Sequence, residues 1–301
     1  SYCTIGNMTL EDFKKKEFPD TPGVYFFLGP RKKILYIGKA TSLRNRVRSY
    51  FTSDLLQTRG RRITAMIEEA KAIEWRETDS VLEALILEAS LIKSHRPAAN
   101  ILEKDDKSFN YVIITKENYP RVMIVRGKDL GAQMLGEGVV VKSVFGPFPQ
   151  GTQLKIAMKL IRRIFPYRDN SCTPAEDQIE ASSSRISSKG EMVQDVQAVP
   201  CFNRQIGLCP GVCTGEIHIK EYAKIIRHLT LFFQAKKKTL LKVLEKEMML
   251  AAKEERFEVA ARFRQQMFAL THINDVALIK DEFRNPHGPT PFRWRRMISR
   301  T

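Results

Sequence analysis

Apolar residues come in short runs over the first third of the chain. "GVYFFL" (23–28) and "ILYIG" (34–38) are apolar, aromatic and β-branched, and "GPRKK" between them supplies turn-forming Gly and Pro. Together they predict a β-hairpin over 19–37, with Tyr36 at the end of its second strand. Leu43, Val47 and Phe51 recur at helical spacing and predict a helix over 42–51. "RGRRITAMIEEAKA" (59–72) predicts another helix, and "AIEWRE" (72–77) alternates as a half-buried strand does. "SVLEALILEASLIKSH" (80–95) opens with Ser80 and Glu83 in capping-box spacing and is stopped by Pro97. These elements predict a small α/β domain over 19–101 with a mainly antiparallel sheet, preceded by a lead over 1–18.

Beyond it, "NYVIIT" (110–115) and "RVMIV" (121–125) predict strands, "FGPFPQG" (145–151) a turn and "TQLKIAMKLIRRIF" (152–165) a helix. Residues 178–199 are polar and Ser-rich, which predicts a flexible insertion within a mixed α/β, cysteine-containing region over 102–219. The pattern is helical throughout 220–280, and "EERF" (254–257) predicts the break of an α-helical hairpin. The basic tail over 281–301 predicts disorder. No internal repeat is visible.

Composition sharpens this picture. A chain of 301 residues, 43% hydrophobic, suits two or three soluble domains. No apolar run is long enough to span a membrane, and no secretory signal opens the chain, so a cytoplasmic location is expected. A net charge of +16 predicts a polyanionic partner, with nucleic acid ahead of an anionic membrane. Residues 31–62 concentrate that charge, with ten Lys or Arg against one acid, Asp54. Of five cysteines, Cys172, Cys201, Cys209 and Cys213 fall in one region, and in a reducing compartment such a group reads as a metal site rather than a disulfide framework.

Two helices carry candidate chemistry. At about 100° per residue, Val81, Leu85, Ala89 and Ile92 share a sector, Glu88 falls at its edge, and Glu83 and Ser90 lie opposite. A carboxylate beside an apolar stripe is costly unless paired or bound to a cation, so Glu88 reads equally as a metal ligand or as one half of a salt bridge. Arg46 and Tyr50, four residues apart, share a face bordering the Leu43–Val47–Phe51 stripe, which suits either a structural stack or a reactive face turned toward Tyr36.

"GVY" at 23–25 and "YIG" at 36–38, followed in order by Lys39, Arg46, Glu88 and Asn100, resemble the signature of the GIY-YIG nucleases. The flanking stretches "TPGVY", "YIGKATSLRNRVRSYF", "EALILEASLIKSHRPAAN" and "DDKSF" resemble the amino-terminal half of the UvrC family, up to about residue 280. The resemblance implies a metal-dependent endonuclease of nucleotide excision repair that cuts damaged double-stranded DNA 3′ to the lesion after recruitment by UvrB. The alternatives are a noncatalytic adaptor and a structure-specific nuclease acting alone. It implies that Tyr36 activates water, that Glu88 binds Mg²⁺ (or Mn²⁺), that Arg46 and Lys39 supply positive charge, and that Tyr25, Tyr50 and Asn100 order water and phosphate. Arg44, Arg48, Arg61 and Arg62 are then expected on the DNA backbone.

The same resemblance implies a [4Fe–4S] cluster on Cys172, Cys201, Cys209 and Cys213, with Zn²⁺ as the alternative. It also implies a UvrB-pairing hairpin, the UVR motif, through Phe257, Glu258, Ala260, Ala261 and Arg264. Full-length relatives make the 5′ cut with a further carboxy-terminal nuclease, which does not fit after residue 280. The chain is therefore expected to be a fragment or a short form.

Overall fold

A computed structural model describes residues 17–51, 63–101, 109–130, 140–178 and 200–272. β1 (Gly23–Leu28) and β2 (Ile34–Ala40) form the expected antiparallel hairpin. β3 (Ala72–Glu77) pairs antiparallel with the other edge of β1, which gives the order β2–β1–β3. β2 runs past Gly38 because β1 offers partners as far as Gly23, opposite Ala40. Tyr36 is thus interior to its strand, opposite Phe27, rather than at its end.

Every residue of β1 is buried because both faces of the sheet are covered. Alternation sends Tyr25 and Phe27 to one side with Tyr36, with Leu43 and Val47 of α1 (Leu43–Arg48), and with Ile63, Met66 and Ile67 of α2 (63–69). Val24, Phe26 and Leu28 go to the other side with Ile37, against Ala84, Leu91 and Ile92 of α3 (Val81–His95). A strand covered on both faces reads as an unbroken apolar run, as "GVYFFL" does. α1 is shorter than expected, with Tyr50 and Phe51 in the turn after it. The α3 cap forms as predicted at Ser80, whose Oγ accepts the Glu83 N–H at 3.1 Å. Its return leg lands one residue early, with Glu83 Oε2 accepting from the Asp79 N–H at 3.2 Å.

The second sheet joins β4 (Asn110–Thr115), β5 (Val122–Arg126) and β6 (Val141–Phe148) in the order β5–β4–β6. β6 overturns the turn expected over 145–151: Phe145 pairs opposite Val112 and Phe148 opposite Asn110. Gly146 and Pro147 read as turn punctuation, yet an edge strand accommodates a proline that donates nothing to the ladder. α3 is shared between the two sheets. Its Leu82, Leu85, Ile86 and Ala89 enter the core that contains Val112, Ile114, Phe145 and Phe148.

After α4 (Ala98–Ile101), the helices α5 (Gly151–Ile164), α6 (Phe202–Gln205) and α7 (Ile219–Phe233) follow in chain order. α7 belongs to the second core through Tyr222, Ile226, Leu229 and Phe233. The hairpin is formed by α8 (Lys237–Lys253) and α9 (Phe257–Thr271), broken where expected at 254–256. A second break at Gln234–Lys236 was not expected. The chain turns there on Ala235 at φ 57° and at the first break on Glu255 at φ 59°, without the glycine that usually signals such backbone. Most of the insertion, the tail, and the lead before Glu17 lie outside the described residues.

Candidate active site

The first sheet gathers the signature residues. Tyr25 stands on β1, Tyr36 and Lys39 on β2, Arg46 on α1, Tyr50 just after α1, Glu88 on α3 and Asn100 on α4. Tyr25 and Tyr50 share a hydrogen bond between their hydroxyls at 2.7 Å. Arg46 Nε donates to Tyr25 Oη at 3.2 Å, and its guanidinium lies 5.8 Å from the centre of the Tyr50 ring. The Tyr36 ring packs 6.2 Å from that of Tyr25 and 6.4 Å from that of Phe27. The Arg46–Tyr50 face is therefore turned to the tyrosines, and it meets Tyr25 first.

Electrostatics separate the tyrosines. Complete burial holds the Tyr25 phenol well above the usual tyrosine range; Tyr50 adds to that shift and Arg46 offsets part of it. Tyr25 is thus a neutral group that positions Arg46, unsuited to taking a proton near neutral pH. Burial works against the Arg46 charge, but Tyr25, Tyr50 and Tyr36 more than offset it, so the guanidinium is held above its ordinary value. Arg46 is a permanent cation aimed along the tyrosine row.

Gly38 is the residue over which the tyrosines close. A Cβ there would stand 2.3 Å from Tyr25 Oη, 2.5 Å from Tyr25 Cζ and 2.8 Å from Tyr36 Cε1. Gly38→Ala is expected to push both rings apart and to destabilise the domain by about 1–3 kcal/mol, as overpacking does. Thermal unfolding checks the stability, and nicking per folded molecule checks the loss of alignment.

Glu88 is buried in α3, and its Oε1 accepts the backbone N–H of Lys39 at 2.9 Å. This hydrogen bond ties the carboxylate to the strand that carries Tyr36, three residues away. Asn100 holds the same strand from its outer edge: Oδ1 accepts the Ile37 N–H at 2.8 Å, and Nδ2 donates to the Ile37 carbonyl at 2.7 Å. Asn100 thus acts on β2 as a backbone clamp, with buried Ala99 beside it in the core. This is a positioning role that residue order alone did not reveal.

The basic residues divide. Arg44 Nε donates to the Phe18 carbonyl at 2.9 Å, and the Phe18 ring packs on Trp75 at 4.5 Å. Arg44 therefore fastens the end of the lead to the domain, a use that its expected place on DNA did not anticipate. Arg48 is exposed, while Arg61 and Arg62 lie outside the described residues.

Cys172, Cys201, Cys209 and Cys213 are all free thiols, the last two buried. Folding brings Cys172 to the other three across the insertion. Burial pushes its thiol up to about 12, and Cys209, Cys213 and Cys201 add to the shift while Arg168 opposes it. Among the described residues no three His, Cys, Asp or Glu side chains stand as a ready metal-holding group. On the hairpin, Phe257 is 67% exposed, Glu258 and Arg264 are exposed, and Ala260 and Ala261 are half-buried.

Comparison with known proteins places this geometry in context. Residues 21–101 match the UvrC-like GIY-YIG domain, and residues 109–232 match the middle domain of the UvrC/Cho excinucleases. The second match takes in α7, which also packs in the second core. The UvrABC system protein C of Carboxydothermus hydrogenoformans is 40% identical over 269 residues, 88% of this chain and 39% of that protein. That of Desulforudis audaxviator is 36% identical over 262 residues, 86% of this chain and 37% of that protein. The chain thus spans less than two fifths of the length of these relatives. A solved GIY-YIG N-terminal endonuclease domain of UvrC from Thermotoga maritima, described as bound to its catalytic divalent cation magnesium, is 40% identical; the likeness covers 30% of this chain and 97% of that one, with a TM-score of 0.26.

Proposed function

The chain belongs to the UvrC family, and from that premise we propose that it is a metal-dependent DNA endonuclease of nucleotide excision repair, cutting 3′ to the lesion after recruitment by UvrB. The observation that carries this reading is the buried Glu88 carboxylate, tied to the Lys39 N–H on the strand that presents Tyr36 beside the Arg46 cation.

Tyr36, as phenolate beside the Arg46 cation, takes the proton of the attacking water, and Arg46 stabilises the charge that grows on the phosphoryl oxygens. Tyr25 and Tyr50 hold Arg46 in place, and Asn100 holds β2. A lone carboxylate, with the rest of the coordination left to water and phosphate, suits Mg²⁺ (or Mn²⁺) better than a cation needing an all-protein cage, so Glu88 would be its ligand. When bound, the ion would stabilise the leaving oxygen.

The approach of Cys172 to Cys201, Cys209 and Cys213, four soft sulfur donors in one region, supports a [4Fe–4S] cluster on them, with Zn²⁺ as the alternative. The exposed Phe257, flanked by Glu258 and Arg264, supports a small and transient contact between the hairpin and UvrB. Among the described residues no helix is long and apolar enough to cross a membrane, and four free thiols are compatible with the reducing cytoplasm.

Incision of a lesion-bearing duplex in Mg²⁺, with and without UvrB, tests the reading. Cutting 3′ to the lesion only in the lane with UvrB is expected. No cutting in either lane would leave a noncatalytic adaptor, and equal cutting in both would leave a nuclease that acts alone.

A further inference from the structure

A cavity of about 490 Å³ opens between α3, β6 and the turn that joins α7 to α8. Ala89, Ser90 and Lys93 line it from α3, Lys142 to Gly146 line it from β6, and Phe233, Gln234 and Lys236 line it from the turn between α7 and α8. Two of its lining rings, Phe145 and Phe233, are stacked at 5.3 Å and inclined by 28°. Lys93, Lys142 and Lys236 are all exposed, and among the described residues no carboxylate lines the cavity. Lys93 Nζ donates to the Val144 carbonyl at 2.7 Å, which sets its ammonium at the rim. Among the described residues none of the three lysines makes an ion pair, whereas the next lysine, Lys237, is engaged by Asp79 and Glu83. Three cations with two serine hydroxyls are donors of the kind that phosphate oxygens accept from.

The position of the cavity bears on which phosphates. Ala89 and Ser90 directly follow Glu88, so the cavity lies around α3 from the candidate metal ligand, a displacement of about one helix diameter, roughly 10 Å. That is comparable to the width of one groove of duplex DNA, about 12 Å. A duplex that runs from Glu88 around α3 would meet the cavity with backbone phosphates further along its strands.

We propose that this cavity is a second DNA-backbone site, in which Lys93, Lys142 and Lys236 hold the duplex across the junction of the two domains and so fix it against the nuclease face. The inference rests on the endonuclease reading above. It adds the path of the DNA and gives α3 a second use, as a spacer between a cutting face and a holding face. It also gives a use to the lysine-bearing turn at Gln234–Lys236, which interrupts a stretch expected to be helical throughout.

The test is duplex binding over a series of salt concentrations, for wild type and the triple variant Lys93→Gln, Lys142→Gln, Lys236→Gln. A second triple variant, Lys242→Gln, Lys246→Gln, Lys253→Gln on the exposed side of α8, carries the same change of charge. Each lysine that no longer neutralises a phosphate releases one counterion fewer, so the slope of log affinity against log salt should flatten by about 2.7 in the cavity variant only. Protection of the cavity lysines from acetylation should follow with duplex, and not with inorganic phosphate, ATP or an acidic peptide. Equal weakening in both variants would reduce the cavity to bulk charge and overturn the proposal, as would protection by nucleotide or peptide without protection by duplex. An unchanged slope in the cavity variant, with nicking intact, would overturn this site and leave the nuclease reading standing. Loss of nicking in Glu88→Ala with binding unaltered tests that reading separately.

Discussion

Glu88→Ala is expected to abolish Mg²⁺-dependent nicking while duplex binding persists. Glu88 is the carboxylate that the fold presses against β2, and an ion held there supplies several kcal/mol of charge stabilisation at the transition state. A loss of about 4 kcal/mol corresponds to a rate reduced roughly a thousandfold or more. Glu88 also accepts the Lys39 N–H, so alanine removes a buried acceptor as well as a charge. Glu88→Gln separates the two effects, because an amide oxygen accepts the same hydrogen bond without the charge. It should unfold at the wild-type temperature and be as inactive as the alanine variant. Recovery of nicking in the glutamine variant would assign Glu88 a purely structural role. Lysines and arginines that hold DNA elsewhere are untouched, so gel-shift affinity should stay near wild type in both.

The second large effect is Tyr36→Phe. The phenyl ring keeps the packing of Tyr36 against Tyr25 and Phe27, so folding should be unaffected. Only the phenolic oxygen, which as phenolate would take the proton from water, is removed, and removal of a general base costs about a hundredfold to ten-thousandfold in rate. Tyr25→Phe is the instructive comparison. The Tyr25 phenol is held neutral by burial and serves Arg46 and Tyr50, so its loss acts by misplacing Arg46. Single-turnover nicking against pH distinguishes the two. Tyr36→Phe should remove the dependence on a titrating base, whereas Tyr25→Phe should lower the rate and keep the shape of the profile. An unaltered profile in Tyr36→Phe would assign the proton to another group.

Much of the first domain was legible because its signals are local. The alternation of "AIEWRE", the Ser80–Glu83 cap and the Gly-Pro turn each depend on neighbouring residues, and β1, β3 and α3 formed within a residue or so of their expected bounds. The wheel of α3 placed Glu88 at the edge of the apolar stripe, and it is indeed a buried acid. The misreadings share a cause. Gly146 and Pro147 look like a turn until β4 supplies the partner that makes them edge strand. Tyr36 looks terminal until β1 extends β2 to Ala40. Ala235 turns the chain at positive φ without a glycine to announce it.

The sequence alone determined which residue types could act together: a tyrosine pair, an arginine, a glutamate and an asparagine in signature order, and four thiols in one region. Order and local periodicity suffice for that, because they are properties of the chain. Only the tertiary structure decided what each does. It tied Glu88 to the Lys39 backbone, set Tyr25 rather than Tyr36 on Arg46, and turned Asn100 and Arg44 into fasteners of β2 and the lead. It also carried Cys172 across the insertion and made α3 a wall common to two cores. Those outcomes depend on residues tens of positions apart, whose hydrogen bonds and burial exist only once the sheets have packed.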